Sequence, residues 1–404
     1  MLATDVLVVG GGPAGSAAAI TLARAGRDVM LVDKAAFPRD KCCGDGLTTA
    51  SLRLLEELGF SPKSTQSWQP IDAAWVRSPS GREVRFPMPA AARGEFAAVV
   101  PRLELDAALL DVARDAGVEV HDGHGVTAID TSPLDGTVVS IDGADDVHAR
   151  YVVAADGMWS PVRRMVNAGE DRYLGEWHAF RQYASNVTGN GAHRLWVWFE
   201  DDLLPGYAWS FPLPGGRVNI GFGVLRDQKW NGHDMKKVWP DLLARPHVRE
   251  ALGPNPVFEG SLKAWPIPAR VDRSVLHRGR VLFVGDAAAA TDALTGEGIG
   301  QALLTGKLAA EAILGGGAIH PEITGARYDR AVHDEFAADH RMSMVLSRVL
   351  HSSLAARGAV RVAGATDWTR RNFGRWLFED EPRAIIATPR RWHRNFLDRD
   401  GAFS

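Results

Sequence analysis

Cysteine is almost missing from this sequence: its 404 residues hold two, Cys42 and Cys43, side by side. Neighbouring cysteines bridge only through a strained ring, so no disulfide framework staples the fold. An excess of either charge is missing too, with 46 Lys and Arg against 49 Asp and Glu, a net of −3. That balance excludes the broad basic face nucleic acid requires, and there is no acidic tail. The 13 histidines are scattered without metal-ligand spacing, so no metal is expected. No true membrane run is present. Val6 to Ala23 carries no charge, but its glycines, proline and alanines make it a poor span. No basic segment precedes it as in a signal peptide, so a cytoplasmic protein is expected.

What remains is the composition of a folded protein, 46% hydrophobic and 24% charged. The length suits two domains or one large interleaved one. The 13 tryptophans point equally to aromatic-lined surfaces and to a Trp-rich core.

The stretch from Asp5 to Asp33 organises the chain. Val6 to Val9 has the length and β-branching of a buried strand. Gly10, Gly12 and Gly15 follow at G-x-G-x-x-G spacing. An Ala-rich helix is expected from Pro13 to Ala25, ended by Gly26, with a second strand from Val29 to Val32. In such a unit Gly10 permits the tight turn and Gly12 lets a pyrophosphate approach the backbone. Gly15 lets helix and strand pack closely, and the helix N-terminus offers free N–H groups to phosphate. Asp33 stands near the spacing at which an acid meets a ribose.

Further along, residues 34–47 form a loop dense in Pro, Gly and charge. Helices are expected at Thr48–Leu58 and Arg102–Ala116, and hairpins at Ala73–Phe86 and Val126–Ile141. Val118–Val120 and Tyr151–Ala155 read as strands. From Tyr173 to Trp265 alternating aromatics predict an antiparallel sheet, interrupted by a helix near Asp234–Leu243. Arg280–Gly285 reads as a buried strand and Gly298–Leu314 as a helix. From Pro321 the chain is expected to be mostly helical to its end.

Further motifs join the first. Asp156 to Arg163 reads D-G-x-x-S-x-x-R, and Val284 to Ala287 ends a strand in G-D-A. Together with the first they resemble the single-Rossmann FAD enzymes of the aromatic hydroxylase type. Within that group, the loop Pro38 to Leu47, the strand Pro205-Gly206-Tyr207-Ala208-Trp209-Ser210-Phe211-Pro212 and the T-G-E-G-I turn Thr295 to Ile299 resemble the geranylgeranyl reductases. The chain departs from that pattern at Ala293, where the family usually has proline.

The resemblance implies an α/β fold: an FAD-binding Rossmann-type domain, an inserted antiparallel-sheet substrate domain and a helical C-terminal region. The expected boundaries are 1–72, 97–172 and 276–320 for the first, 73–96 and 173–275 for the second, and 321–404 for the third. It implies an FAD shell of Gly10, Gly12, Pro13, Ala14 and Gly15, then Asp33 and Lys34, then Cys43 and Gly44. Asp156, Gly157, Gly285 and Asp286 join it, with Gly296, Gly298 and Ile299 at the flavin's pyrimidine edge. Arg102 is placed near the cofactor, with an exposed helix-start arginine as the alternative. Asp33 and Asp286 would accept from sugar hydroxyls, or else simply cap a helix or turn.

Cys43 is implied as the catalytic thiol facing flavin and substrate, a proton source helped by a lowered pKa. A small buried residue in a tight loop is the alternative. Tyr207 and Trp209 share one face of a strand, lining either an apolar tunnel for a prenyl chain or a core. The implied reaction is FAD-dependent saturation of an isoprenoid double bond, in a geranylgeranyl, polyprenyl or menaquinone side chain. A flavin monooxygenase or halogenase is the alternative. NAD(P)H, a ferredoxin or a quinol is the candidate electron donor. The segment from Arg357 to Ser404 mixes Arg with Trp368, Trp376, Phe378 and Trp392. It reads as a peripheral membrane seat or as a packed helical tail, the acids Glu379 to Glu381 weakening the first.

Overall fold

The β-branched run at Val6–Val9 sits mid-sheet, where both faces of a parallel strand are covered. In the computed structural model, which describes residues 1–170, 172–226, 232–317, 320–393 and 398–404, strand Leu2–Val9 pairs in parallel with Val29–Asp33 and Val147–Ala154. Glu119–Asp122 and Val281–Phe283 extend the sheet in parallel. Antiparallel strands Val126–Asp130, Thr137–Ile141 and His277–Arg278 complete its eight.

Ten α-helices occur among the described residues. In chain order they are α1 Pro13–Arg24, α2 Thr49–Glu57, α3 Arg102–Asp115, α4 Pro161–Met165 and α5 Gly232–Ala244, then α6 Pro246–Leu252, α7 Ile299–Gly316, α8 Pro321–Leu350, α9 Ser353–Ala363 and α10 Asp367–Leu377. The glycine turn before α1 is sterically strict. Gly10 has φ +109°, and a Cβ on Gly15 would lie 1.8 Å from the Gly10 carbonyl oxygen. No other residue allows this approach of helix to strand.

A second sheet of seven strands runs Val257–Ile267, Trp177–Ser185, Arg217–Leu225, Tyr207–Leu213, Leu195–Trp198, Ala73–Arg77, Glu83–Pro87. It departs from the expected antiparallel sheet at one place. Leu195–Trp198 pairs in parallel with Ala73–Arg77, because the early hairpin is recruited across the chain rather than through a tight turn. Phe180, Phe222, Trp239, Leu242 and Val248 pack its outer face under α5 and α6. A three-stranded sheet, Gly46–Leu47, Ala98–Val99 and Gln69–Pro70, pins the end of the 34–47 loop.

The expectation of helix to the C-terminus holds only through α10. Pro382 and Pro389 break the pattern, leaving short turns at Ile385–Ala387 and Pro389–Arg391. Residues 394–397 lie outside the described residues, and Ala402 then bridges to Glu95. Among the described residues, no helix is long and apolar enough to cross a membrane.

Candidate active site

A cavity of about 920 Å³ begins at the Gly10–Gly12 turn, passes beneath the inner face of the seven-stranded sheet and ends against α8, α9 and α10. Every site residue singled out from the sequence lines it, except Gly15, whose part is the packing of α1 on the turn.

The nucleotide end is built on backbone groups and cations. A Cβ on Gly12 would meet nothing closer than Arg39 at 3.5 Å and Arg102 at 3.7 Å. That leaves open space at a helix N-terminus with two guanidinium groups beside it, which fits a pyrophosphate. Both arginines are held by one buried carboxylate: Arg102 bonds Asp106 at 2.7 and 2.8 Å, and Arg39 lies 2.9 Å from it. Asp33 accepts the N–H of Gly11 at 2.7 Å and of Ala35 at 2.8 Å, fixing the turn. Asp156 spends both oxygens locally, accepting from the Ser160 hydroxyl at 2.6 Å and the Val162 N–H at 2.9 Å. Arg163 of the same motif donates to the carbonyls of Val275 and Ala287, bracing the turn that carries Asp286.

Asp286 pairs with Lys41 at 3.1 Å, and Lys41 lies 5.1 Å over the Trp265 ring. Asp40 binds Arg181 at 2.5 Å and Lys263. The Asp40 pairs and the Lys41–Trp265 contact stitch the 34–47 loop to two strands of the seven-stranded sheet.

The aromatic row forms the ceiling. Tyr207, Trp209 and Phe211 alternate on one strand face, with ring centroids 6.0 and 6.2 Å apart. The Trp209 ring packs against Gly221, where a Cβ would sit 2.5 Å from it. The Tyr207 hydroxyl donates to the Thr295 carbonyl, tying the row to the T-G-E-G-I turn.

Beneath the row runs a buried polar network that sequence reasoning missed. Asp45, at φ +66°, accepts from the Tyr183 hydroxyl at 2.5 Å and from Asn219 Nδ2 at 2.8 Å. Asn219 Nδ2 also donates to the Cys43 carbonyl at 2.8 Å, while its Oδ1 accepts from Trp209 Nε1 at 3.1 Å. One asparagine therefore sets both the ceiling ring and the cysteine loop. Burial pushes the Asp45 carboxyl up to about 6, against the downward pull of Tyr183 and Arg181.

Cys43 Sγ accepts the Asp45 N–H at 3.4 Å. Its pKa is raised rather than lowered, a correction to the sequence expectation. Burial outweighs the downward pull of Arg102, and Asp45 adds to the rise. The thiol stays protonated at neutral pH, the form that gives a proton.

Ala293 stands where proline was expected, yet hydrogen bonds hold this loop. Asp292 accepts the N–H groups of Leu294 and Thr295 at 3.1 and 2.8 Å, and its other oxygen the Ser343 hydroxyl at 2.6 Å. Arg383, from beyond α10, pairs with Asp292 at 3.3 Å and Glu379 at 3.0 Å and donates to the Thr295 hydroxyl. Glu379, Asp380 and Glu381 are thus mostly buried and paired, not a solvated acidic run: Asp380 meets Arg53 and Arg375, and Glu381 meets His393. Glu297 lines the cavity, and burial beside Glu379 raises its pKa.

The far end of the cavity is apolar. Val197 and Phe199 face Val360, Phe373, Leu346 and Leu350 there. The C-terminal region is the wall of the site rather than a tail. Its sequence signals were helical pattern and a mix of arginine with aromatics, which do not say against what the segment packs.

The model of the FAD-binding domain family matches residues 3–304. A menaquinone reductase of Mycolicibacterium smegmatis is 34% identical over 387 residues, 90% of this chain and 88% of that one. A digeranylgeranylglycerophospholipid reductase of Methanopyrus kandleri is 32% identical, covering 85% of this chain and 88% of its own. In fold, a geranylgeranyl bacteriochlorophyll reductase-like protein of Thermoplasma acidophilum superposes with a TM-score of 0.77 at 21% identity, over 97% of this chain and 100% of that one. The flavin-dependent halogenase CmlS gives 0.70 at 23% identity, over 98% and 74%, so this fold is shared by a halogenase as well.

Proposed function

Since the chain belongs to the geranylgeranyl reductase family of FAD-dependent oxidoreductases, we propose that it saturates carbon–carbon double bonds in an isoprenoid chain, of geranylgeranyl, polyprenyl or menaquinone type. FAD, when bound and reduced, supplies the hydride. The chain's own residues supply the rest. Gly12, Arg39 and Arg102 offer the phosphate seat, and the apolar far end accepts hydrocarbon. Tyr207, Trp209 and Phe211 hold the alkene beneath the sheet and exclude water. Cys43, protonated by virtue of its burial, carries the proton for the second alkene carbon.

The observation that carries this reading is the meeting of three features in one cavity. A protonated thiol and a row of rings stand where the nucleotide end gives way to an apolar tunnel. The test is anaerobic. Dithionite-reduced enzyme is mixed under argon with geranylgeranyl diphosphate or a menaquinone extract. The expected result is reoxidation of the flavin without oxygen, with one pair of hydrogens added per bond saturated. Flavin that stays reduced until air is admitted, with a product heavier by oxygen, replaces this reading with the monooxygenase one. Running the first reduction with NAD(P)H, a ferredoxin or a quinol identifies the electron donor.

A further inference from the structure

The apolar end of the cavity opens where α8 and α9 meet. Val349 and Ala359 both line the cavity and reach solvent. Around that opening the two helices show an unusual outer face. On the C-terminal turns of α8, past the exposed acids Glu322, Asp329, Asp334 and Glu335 of its first half, the exposed stripe is Arg341, Val345, Arg348 and Val349, spaced as one helix face. On α9 it is Leu354, Arg357, Gly358, Arg361 and Val362, with Leu354 81% and Val362 69% exposed. The opposite face of α9, at Ala356, Val360 and Ala363, is buried.

Between Asp339 and Asp367 the sequence holds no acid at all, although the whole chain is net negative. Arg357 shares an exposed ion pair with Asp201. Among the described residues Arg341, Arg348 and Arg361 have no ion-pair partner. An ordinary solvated face mixes both signs and keeps large aliphatic side chains inside. Two adjacent faces made only of aliphatic residues, small residues and arginine have the chemistry of a helix lying at a charged lipid surface.

We propose that the C-terminal turns of α8 and the outer face of α9 dock on an anionic lipid bilayer, placing the cavity opening at Val349 and Ala359 against the membrane. Leu354 and Val362 enter the acyl boundary, and the arginines meet lipid phosphates. This inference rests on the isoprenoid reading, since a prenyl chain dissolved in a bilayer could then pass into the tunnel without crossing water. It places the membrane seat on the acid-free end of α8 and on α9, which overlaps the Arg357–Ser404 segment only at its start, rather than on the tryptophan-bearing remainder.

The test uses the full FAD-loaded chain and sucrose-loaded vesicles. Wild type is expected to sediment with phosphatidylglycerol–phosphatidylcholine vesicles at low salt, and far less with phosphatidylcholine alone. Each arginine removed should weaken binding about fivefold, so R348A/R361A should bind about 25-fold more weakly. Leu354→Asp should weaken binding to both vesicle types. All variants should keep wild-type flavin content and wild-type turnover of a short, detergent-soluble isoprenoid. Wild type left in the supernatant at low salt, or variants that sediment like wild type, overturns the proposal. A wild-type dimer that Leu354→Asp makes monomeric also overturns it, by assigning the face to a second copy. Failure of wild type to reduce the short isoprenoid would instead remove the proposed function, while the vesicle result stands by itself.

Discussion

Replacing Asp45 by asparagine isolates the energetics of the buried network. The Asp45 carboxyl titrates at about 6 in the folded chain against a usual 3.8, because burial disfavours its charge. A folded pKa above the unfolded value means stability that is fully present below about pH 4 and is lost as pH rises through 6. The shift of about 2 pH units corresponds to about 3 kcal/mol. An asparagine side chain cannot ionise and so does not incur this loss. It tolerates the left-handed φ of +66° at this position. It also forfeits acceptor capacity toward Tyr183, Asn219 or the Arg102 N–H. That cost is about 1–3 kcal/mol and does not vary with pH. The stability of Asp45→Asn minus that of wild type should therefore climb by about 3 kcal/mol between pH 4 and pH 8. Urea unfolding of the FAD-saturated proteins, followed by tryptophan fluorescence across that range, measures the difference. Contributions of all other groups cancel in it to first order. A flat difference, or one that falls with pH, would refute the claim that burial dominates at Asp45.

Two further outcomes follow from the site. Cys43→Ala should retain the FAD spectrum and slow alkene reduction by about tenfold to a thousandfold, while Cys42→Ala changes little; single-turnover kinetics of the two variants provide the check. Gly12→Val should fold, since its Cβ would meet only ordinary van der Waals contacts with Arg39 and Arg102, yet lose flavin as its side chain takes the phosphate's place. Wild-type FAD content on dialysis, or an unfolded variant, would contradict that geometry.

Local features of the fold were legible in the sequence. The strand–glycine–helix unit is written in consecutive residues, and the alternation at Tyr207, Trp209 and Phe211 fixes a face without tertiary knowledge. Relations that join distant segments were not legible. Asp45 gains its meaning from Tyr183 and Asn219, on strands that no local pattern ties to the loop. The direction of the Cys43 shift depends on what is stacked around the thiol, so the residue type alone pointed the wrong way. The acids at 379–381 served only to weaken the membrane-seat reading, because their partners Arg53, Arg375 and Arg383 are recognisable only once the C-terminal region has docked.

Arg383 has a consequence for how the protein is made. The turn carrying Glu297 and Asp292 is synthesised long before Arg383 leaves the ribosome. Until that arginine arrives, Asp292 lacks its buried counter-charge, and Thr295 lacks a bond that steadies the loop. This wall of the cavity is therefore finished from the far end of the chain. A truncation before residue 383, or a bulky C-terminal fusion that keeps the segment from docking, acts on the middle of the candidate site from its periphery.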